Sequence, residues 1–130
     1  MEKNSIQTKI LLAVQILVGI GLIVFGLNKF LHFMPNPEVS QEMGMFMQAL
    51  GKTGYMFTLV GAIQFIAGLS FVLNRFVPLM AIVIVPVMLN AMLAHLFLDP
   101  AGIGGSLVIL LLILVVMFKN KESYVTVLKA

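Results

Sequence analysis

Apolar positions run almost unbroken through four stretches, Ile6 to Phe33, Tyr55 to Leu73, Phe76 to Leu98 and Ile103 to Phe118. A helix needs about 20 residues, at about 1.5 Å of rise each, to cross hydrocarbon. The fourth run, 16 residues by its bounds, spans only if its neighbours near Gly102 and Lys119 extend it. Between the first two runs, Met34 to Gly54 is too long for a turn and has a helical period of its own, with Val39, Met43, Phe46, Met47 and Leu50 recurring near every 3.6 residues. Asn36 as cap, Pro37 at the first helical position and Gly51 as stop would bound that helix. The pattern predicts an all-α integral membrane protein. It is an antiparallel four-helix transmembrane bundle in a single domain, residues 1–130, with a short amphipathic outer helix between spans one and two and a tail from 119 to 130.

Composition agrees with the pattern. Hydrophobic residues make up 61% and charged residues 10% of the chain, where a soluble domain has about a quarter charged. The net charge of +3 does not mark a nucleic-acid partner, because the cations are dispersed at span ends. Lys3, Lys9, Arg75, Lys119, Lys121 and Lys129 fall on one side of a four-span topology; Lys29 and Lys52 fall on the other with Glu38, Glu42 and Asp99. This bias predicts both termini on the cytoplasmic side. The first run reads as a retained span, since its apolar part from Ile10 to Leu27 exceeds a signal-peptide core. With no cysteine, disulfides, thiolate nucleophiles, iron–sulfur clusters and covalently attached haem are excluded.

Against this oily background the polar residues carry the information, since a polar group in hydrocarbon must find a protein or ligand partner. Gln15, on the cytoplasmic half of span one, is expected to bond a neighbouring helix. Gly19, Gly21 and Gly26 of span one, with Gly61, Ala62, Ala67 and Gly68 of span two, would let helices approach closely. At the outer end of span one, Asn28 and His32 are four apart and share a face, with Lys29 beside them. Lys29 has a blander reading, in which it snorkels to the interface while His32 sits among headgroups. Gln64 lies about 13 Å into span two by helical rise, level with Asn90 of span three, so an amide pair between them is expected. Span three kinks at Pro86 and ends with His95 and Asp99 on one face, whereas Asn90 lies about 140° around the helix from His95. Asp99 is expected to pair with Lys29, His32 or His95. Asp99 to Gly102 is a tight outer turn, and the last span holds no polar side chain beyond Ser106.

Five motifs taken together, GLNKFLHFMP, GYMF, GAIQFIAGL, NRFVPL and HLFLDPAG, resemble the DoxX-like family of small four-span membrane proteins, over nearly the whole chain. The resemblance implies a place in a bacterial-type cytoplasmic membrane. Some members are described as membrane subunits of quinone-linked sulfur-oxidising enzymes, which makes a quinone a candidate cofactor and a redox subunit a candidate partner. Relatives commonly carry a glutamate where this chain has Gln64, so any proton-handling role of that carboxylate is in doubt here. A glutamate placed at position 64 would be expected to stay protonated by burial.

Two readings remain open. In one, an outer-half cavity lined by Asn28, Lys29, His32, Gln64, Asn90, His95 and Asp99 holds a quinone or lipid-like ligand under an adaptable lid bearing Met43, Met45 and Met47. In the other, the polar groups only fasten the helices of a structural or assembly protein, and the outer helix rests on lipid. A b-type haem between His32 and His95 is a third and weaker alternative. A transporter would need more than one small bundle, and a homo-oligomer is a candidate assembly. No nucleophile stands beside a base and no span holds a carboxylate pair, so no self-contained catalytic constellation is legible.

Overall fold

The computed structural model describes residues 2–130, with side chains from Ser5 onward. Its helices are α1 (Glu2–Leu31), α2 (Gln41–Lys52), α3 (Met56–Leu73), α4 (Val77–Leu98), α5 (Ile103–Lys119) and the short α6 (Val125–Leu128), with no strand among the described residues. Four segments are long and apolar enough to cross a membrane: Ser5–Leu31, Met56–Leu73, Val77–Leu98 and Pro100–Lys119. The turn Pro100–Gly102 supplies the extra length that the fourth span needed. The spans form a closed ring in which α1 packs on α3 and α5, and α4 packs on the same two, leaving α1 and α4 diagonal.

Two glycine contacts fasten α1 to α3. A Cβ built on Gly68 would lie 2.6 Å from the Gly19 carbonyl oxygen, and one on Gly26 would lie 2.7 Å from the Phe65 nitrogen and 2.8 Å from the Gly61 carbonyl oxygen. The backbones therefore touch at two levels, seven residues apart on each helix. Without a hydrophobic drive between helices in lipid, such close van der Waals contact is a main source of association. Gly21 plays no part in it, since nothing lies within 4 Å of its Cβ position.

Turn chemistry sets the bundle's connections. Between α3 and α4, Asn74 and Phe76 take left-handed backbone conformations. The turn is closed by the Arg75 amide donating to the Ser70 carbonyl at 3.0 Å and by the Ser70 hydroxyl donating to the Arg75 carbonyl. Pro78 stands in the first turn of α4, where its missing N–H costs nothing. Pro86 sits inside α4 without ending it, and α4 frees the carbonyl four residues before it. Tyr124 of the tail donates to the Pro78 carbonyl at 2.8 Å, and burial raises its hydroxyl's pKa above the usual value, keeping it a donor. The tail is thus held against the end of the bundle that carries both termini, here termed the terminal end.

The two halves of the bundle differ. Leu22, Phe71, Ile84 and Ile113, one from each span, are fully buried, and the core around them (Val18, Ala67, Val77, Ala81, Val116) lies in the terminal half. The opposite half opens into a cavity roofed by α2. Outward-facing Leu17, Leu73, Phe97 and Phe118 are more than 60% exposed, which places a lipid-like solvent around the ring.

The helix over 34–54 starts later than its sequence signals indicate. Residues 32–40 are non-helical and Ser40, not Asn36, is the N-cap, its Oγ accepting from the Met43 amide at 3.1 Å while donating to the Leu98 carbonyl. A cap that also ties α2 to the end of α4 prevails over a local Asn-Pro signal. The helix runs past Gly51 to Lys52, and Gly54, at φ 80°, turns the chain into α3.

Candidate functional site

The cavity has a volume of about 790 Å³ and is lined by all four spans, the 34–39 segment and α2. Its roof is built from Met43, Phe46, Met47 and Leu50, one face of α2, whereas Met45 is 63% exposed on the other. Only two of the three methionines expected in the lid therefore face inward, as a helical period requires.

Six of the seven polar residues expected at the site line this cavity: Asn28, Lys29, Gln64, Asn90, His95 and Asp99. His32 does not. α1 ends at Leu31, and His32 takes a left-handed conformation (φ 51°) with its amide donating to the Asn28 carbonyl at 2.8 Å. The side chain leaves the helical face of Asn28 and is exposed. The two imidazoles consequently do not face a common chamber, which removes the geometry on which His32 and His95 would share a haem. Asn28 spends its Oδ1 on the Met34 amide at 2.8 Å, holding the chain as it leaves α1.

Lys29 lines the cavity and departs from its blander, snorkelling reading. Its Nζ turns inward, away from the helix end, donating to Gln64 Oε1 at 2.7 Å and to the Phe25 carbonyl at 3.4 Å. Gln64 is buried about 12 Å along α3 from Met56, by helical rise. The Gly26 and Gly61 contact is the cause: a Cβ on Gly61 would stand 3.0 Å from the Lys29 Cβ, so the lysine stem begins against α3 and reaches Gln64 without crossing open space. Gln64 Nε2 has the Met88 sulfur at 3.7 Å as its partner. The expected pair between Gln64 and Asn90 is therefore not formed. Equal depth gave no azimuth: Asn90 lies exposed on α4 and makes no side-chain hydrogen bond among the described residues.

The expected partner of Asp99 resolves to its own helical neighbour. His95 Nδ1 lies 3.9 Å from Asp99 Oδ2 and 3.4 Å from the Asp99 carbonyl oxygen. This contact stays within one helix end and does not link α4 to α1. Gly102 makes room for it, since a Cβ there would lie 2.8 Å from His95 Nδ1 and Cε1. Among the described residues, no cluster of His, Cys, Asp and Glu is suited to a metal ion. Glu38 lines the cavity too; its place beside the lid was the available signal, and it went unread because a loop glutamate ordinarily faces water.

Residues 10–96 match the DoxX family. The chain belongs to the DoxX family. The match takes in most of α1, the lid, α3 and most of α4, hence every cavity-lining polar side chain named above except Asp99, and leaves α5 outside. No characterised protein and no solved structure matched the chain. With four apolar spans, this DoxX-family chain is an integral membrane protein.

The Lys29 contact changes what substitutions at Gln64 should do. Gln64→Leu removes the ammonium's closest acceptor and is expected to lower stability in detergent by about 2 kcal/mol, the upper part of the range for interhelical hydrogen bonds. Gln64→Glu places a carboxylate against that ammonium, so an ion pair replaces the protonated acid expected from burial alone. Thermal unfolding should rank Gln64→Glu at or above wild type and Gln64→Leu below it. Equal melting of all three would show the contact to be energetically idle.

Proposed function

We propose that this DoxX-family protein is an accessory or binding subunit whose lid-end chamber holds one apolar, chain-bearing ligand, a quinone or a lipid-like molecule. The observation that carries the reading is a chamber within the usual range for ligand pockets, about 300–1,000 Å³, walled by apolar side chains and carrying polar groups from α1, α3 and α4. The terminal half carries the buried core, and its cavity, about 360 Å³ beside Gln7, Leu11 and Lys119, is less than half the size of the chamber under the lid. Methionines in the roof suit a ligand of variable shape. A quinone would fit: its ring and tail are apolar, and its carbonyls could accept from Lys29 and from the unspent Asn90 amide. Bound there it would supply electron-transfer chemistry, while this chain's residues bind and orient it. Electrons would come from a partner redox subunit, since no side chain here carries them.

Native mass spectrometry of protein purified in mild detergent should show one hydrophobic species retained near one per chain. Ala94→Phe, filling the chamber from α4, should lose it. Identical lipid complements in the two proteins would defeat the proposal and favour an assembly role.

We further propose a bacterial-type cytoplasmic membrane with both termini in the cytoplasm. Lys9, Arg75, Lys119, Lys121 and Lys129 sit at the terminal end, with Lys3, whose side chain is outside the described residues; Glu38, Glu42 and Asp99 sit at the lid end with Lys29 and Lys52. Topology reporters fused after Lys52 and Ala130 should report opposite sides. The same side for both would overturn it.

A further inference from the structure

Lys29 is a cation on the chamber wall with no carboxylate in contact with it among the described residues. Lys29 Nζ touches two neutral acceptors, Gln64 Oε1 at 2.7 Å and the Phe25 carbonyl at 3.4 Å, and an ammonium has three donors. Among the described residues no carboxylate comes within 4.0 Å of it; the imidazole–carboxylate contact found there joins His95 to Asp99. Nor does Lys29 extend to the interface as a lysine near a span's end ordinarily does. It is held inward by the glycine-mediated approach of α1 to α3. A cation aimed into an apolar chamber, bonded to an amide that cannot ionise, is suited to a ligand that brings one negative charge. The chamber offers no arginine and no second lysine, as a phosphate would favour. Glu38 and Asp99 on its wall would repel a dianion.

Resting on the chamber reading above, we propose that Lys29 and Gln64 form a headgroup subsite for the carboxylate of a single-chain amphiphile, a free fatty acid or a chemically equivalent acyl carboxylate. Its chain lies among Met43, Phe46, Val60 and Ile63. One carboxylate oxygen takes the third donor of Lys29, and the amide of Asn90, which has no hydrogen-bond partner among the described residues, is available to the second.

The test is binding of three probes to the nanodisc-embedded protein at mildly alkaline pH: palmitate, methyl palmitate, which has the same chain without the charge, and decylubiquinone. Palmitate should bind at least about tenfold tighter than either neutral probe, equivalent to about 1.4 kcal/mol. Lys29→Gln should abolish that preference, bringing palmitate to within about twofold of methyl palmitate. Gln64→Glu, which gives the ammonium a counter-charge from the protein, should do the same while keeping the fold. Equal affinity for palmitate and methyl palmitate, decylubiquinone as the strongest ligand, or a palmitate preference that survives Lys29→Gln would each overturn the subsite and leave the chamber standing. Failure of all three probes to bind would instead overturn the chamber reading, and the subsite with it.

Discussion

Valine in place of Gly68 is expected to cost the bundle about 3 kcal/mol, the upper end for overpacking a tight core. The new Cβ would lie 2.6 Å from the Gly19 carbonyl oxygen, 2.7 Å from Ile23 Cγ1 and 2.8 Å from the Ile23 nitrogen. Two of these three are backbone atoms of a helix and cannot turn aside, so α1 must move off α3. Separation there should also draw Gly26 from Gly61 and lift Lys29 from Gln64, so that palmitate preference falls together with stability. Gly21→Ala is the matched control. With nothing within 4 Å of its Cβ position, it should leave stability unchanged or raise it by up to about 1 kcal/mol through helix propensity. Thermal unfolding in detergent reads both. Gly68→Val melting with wild type would show that the bundle does not depend on the α1–α3 approach.

Gln15→Leu is expected to cost about 2 kcal/mol, summed over weak interhelical hydrogen bonds. The fully buried Gln15 amide donates to the Phe71 carbonyl and to Asn74 Oδ1, both at 2.9 Å, and accepts from Lys119 Nζ at 2.9 Å. One side chain thus binds the end of α3, its following turn and the end of α5 to α1. Leucine fills the volume but leaves acceptors at the end of α3 without their donor. Lys119 can still turn to water. Lys119→Met alone should therefore cost less than Gln15→Leu, and should add little in the Gln15→Leu background. A double-mutant cycle measures this, and additive losses would show that Gln15 and Lys119 act independently. The comparison with Lys29 is instructive. Both lysines bond a glutamine on another helix, but Gln15 is saturated by protein on every side, whereas the Lys29 and Gln64 pair borders a chamber.

Sequence alone determined the solvent and therefore the architecture. Four apolar runs, too long and too poor in charge for a soluble core, must become helices in lipid because no other single-run structure satisfies its own backbone there. The same rule singled out the polar side chains, and six of the seven named for the site line one cavity. Gln15 also bonds its neighbours as its isolation in an apolar run required. Tertiary structure decided who faces whom. Helical rise gives depth well but gives the rotation of one helix against another poorly, so Asn90 was matched to Gln64 by level while Lys29, higher on α1, was the residue whose flexible stem could reach it. His32 was lost from the site because α1 ends one residue before it, and a left-handed residue abandons the helical face on which the four-residue spacing depended. Which glycines carry the contact, Gly19 and Gly26 but not Gly21, follows from the azimuth of α3, a quantity that no local pattern encodes because it is set by the packing of all four spans at once.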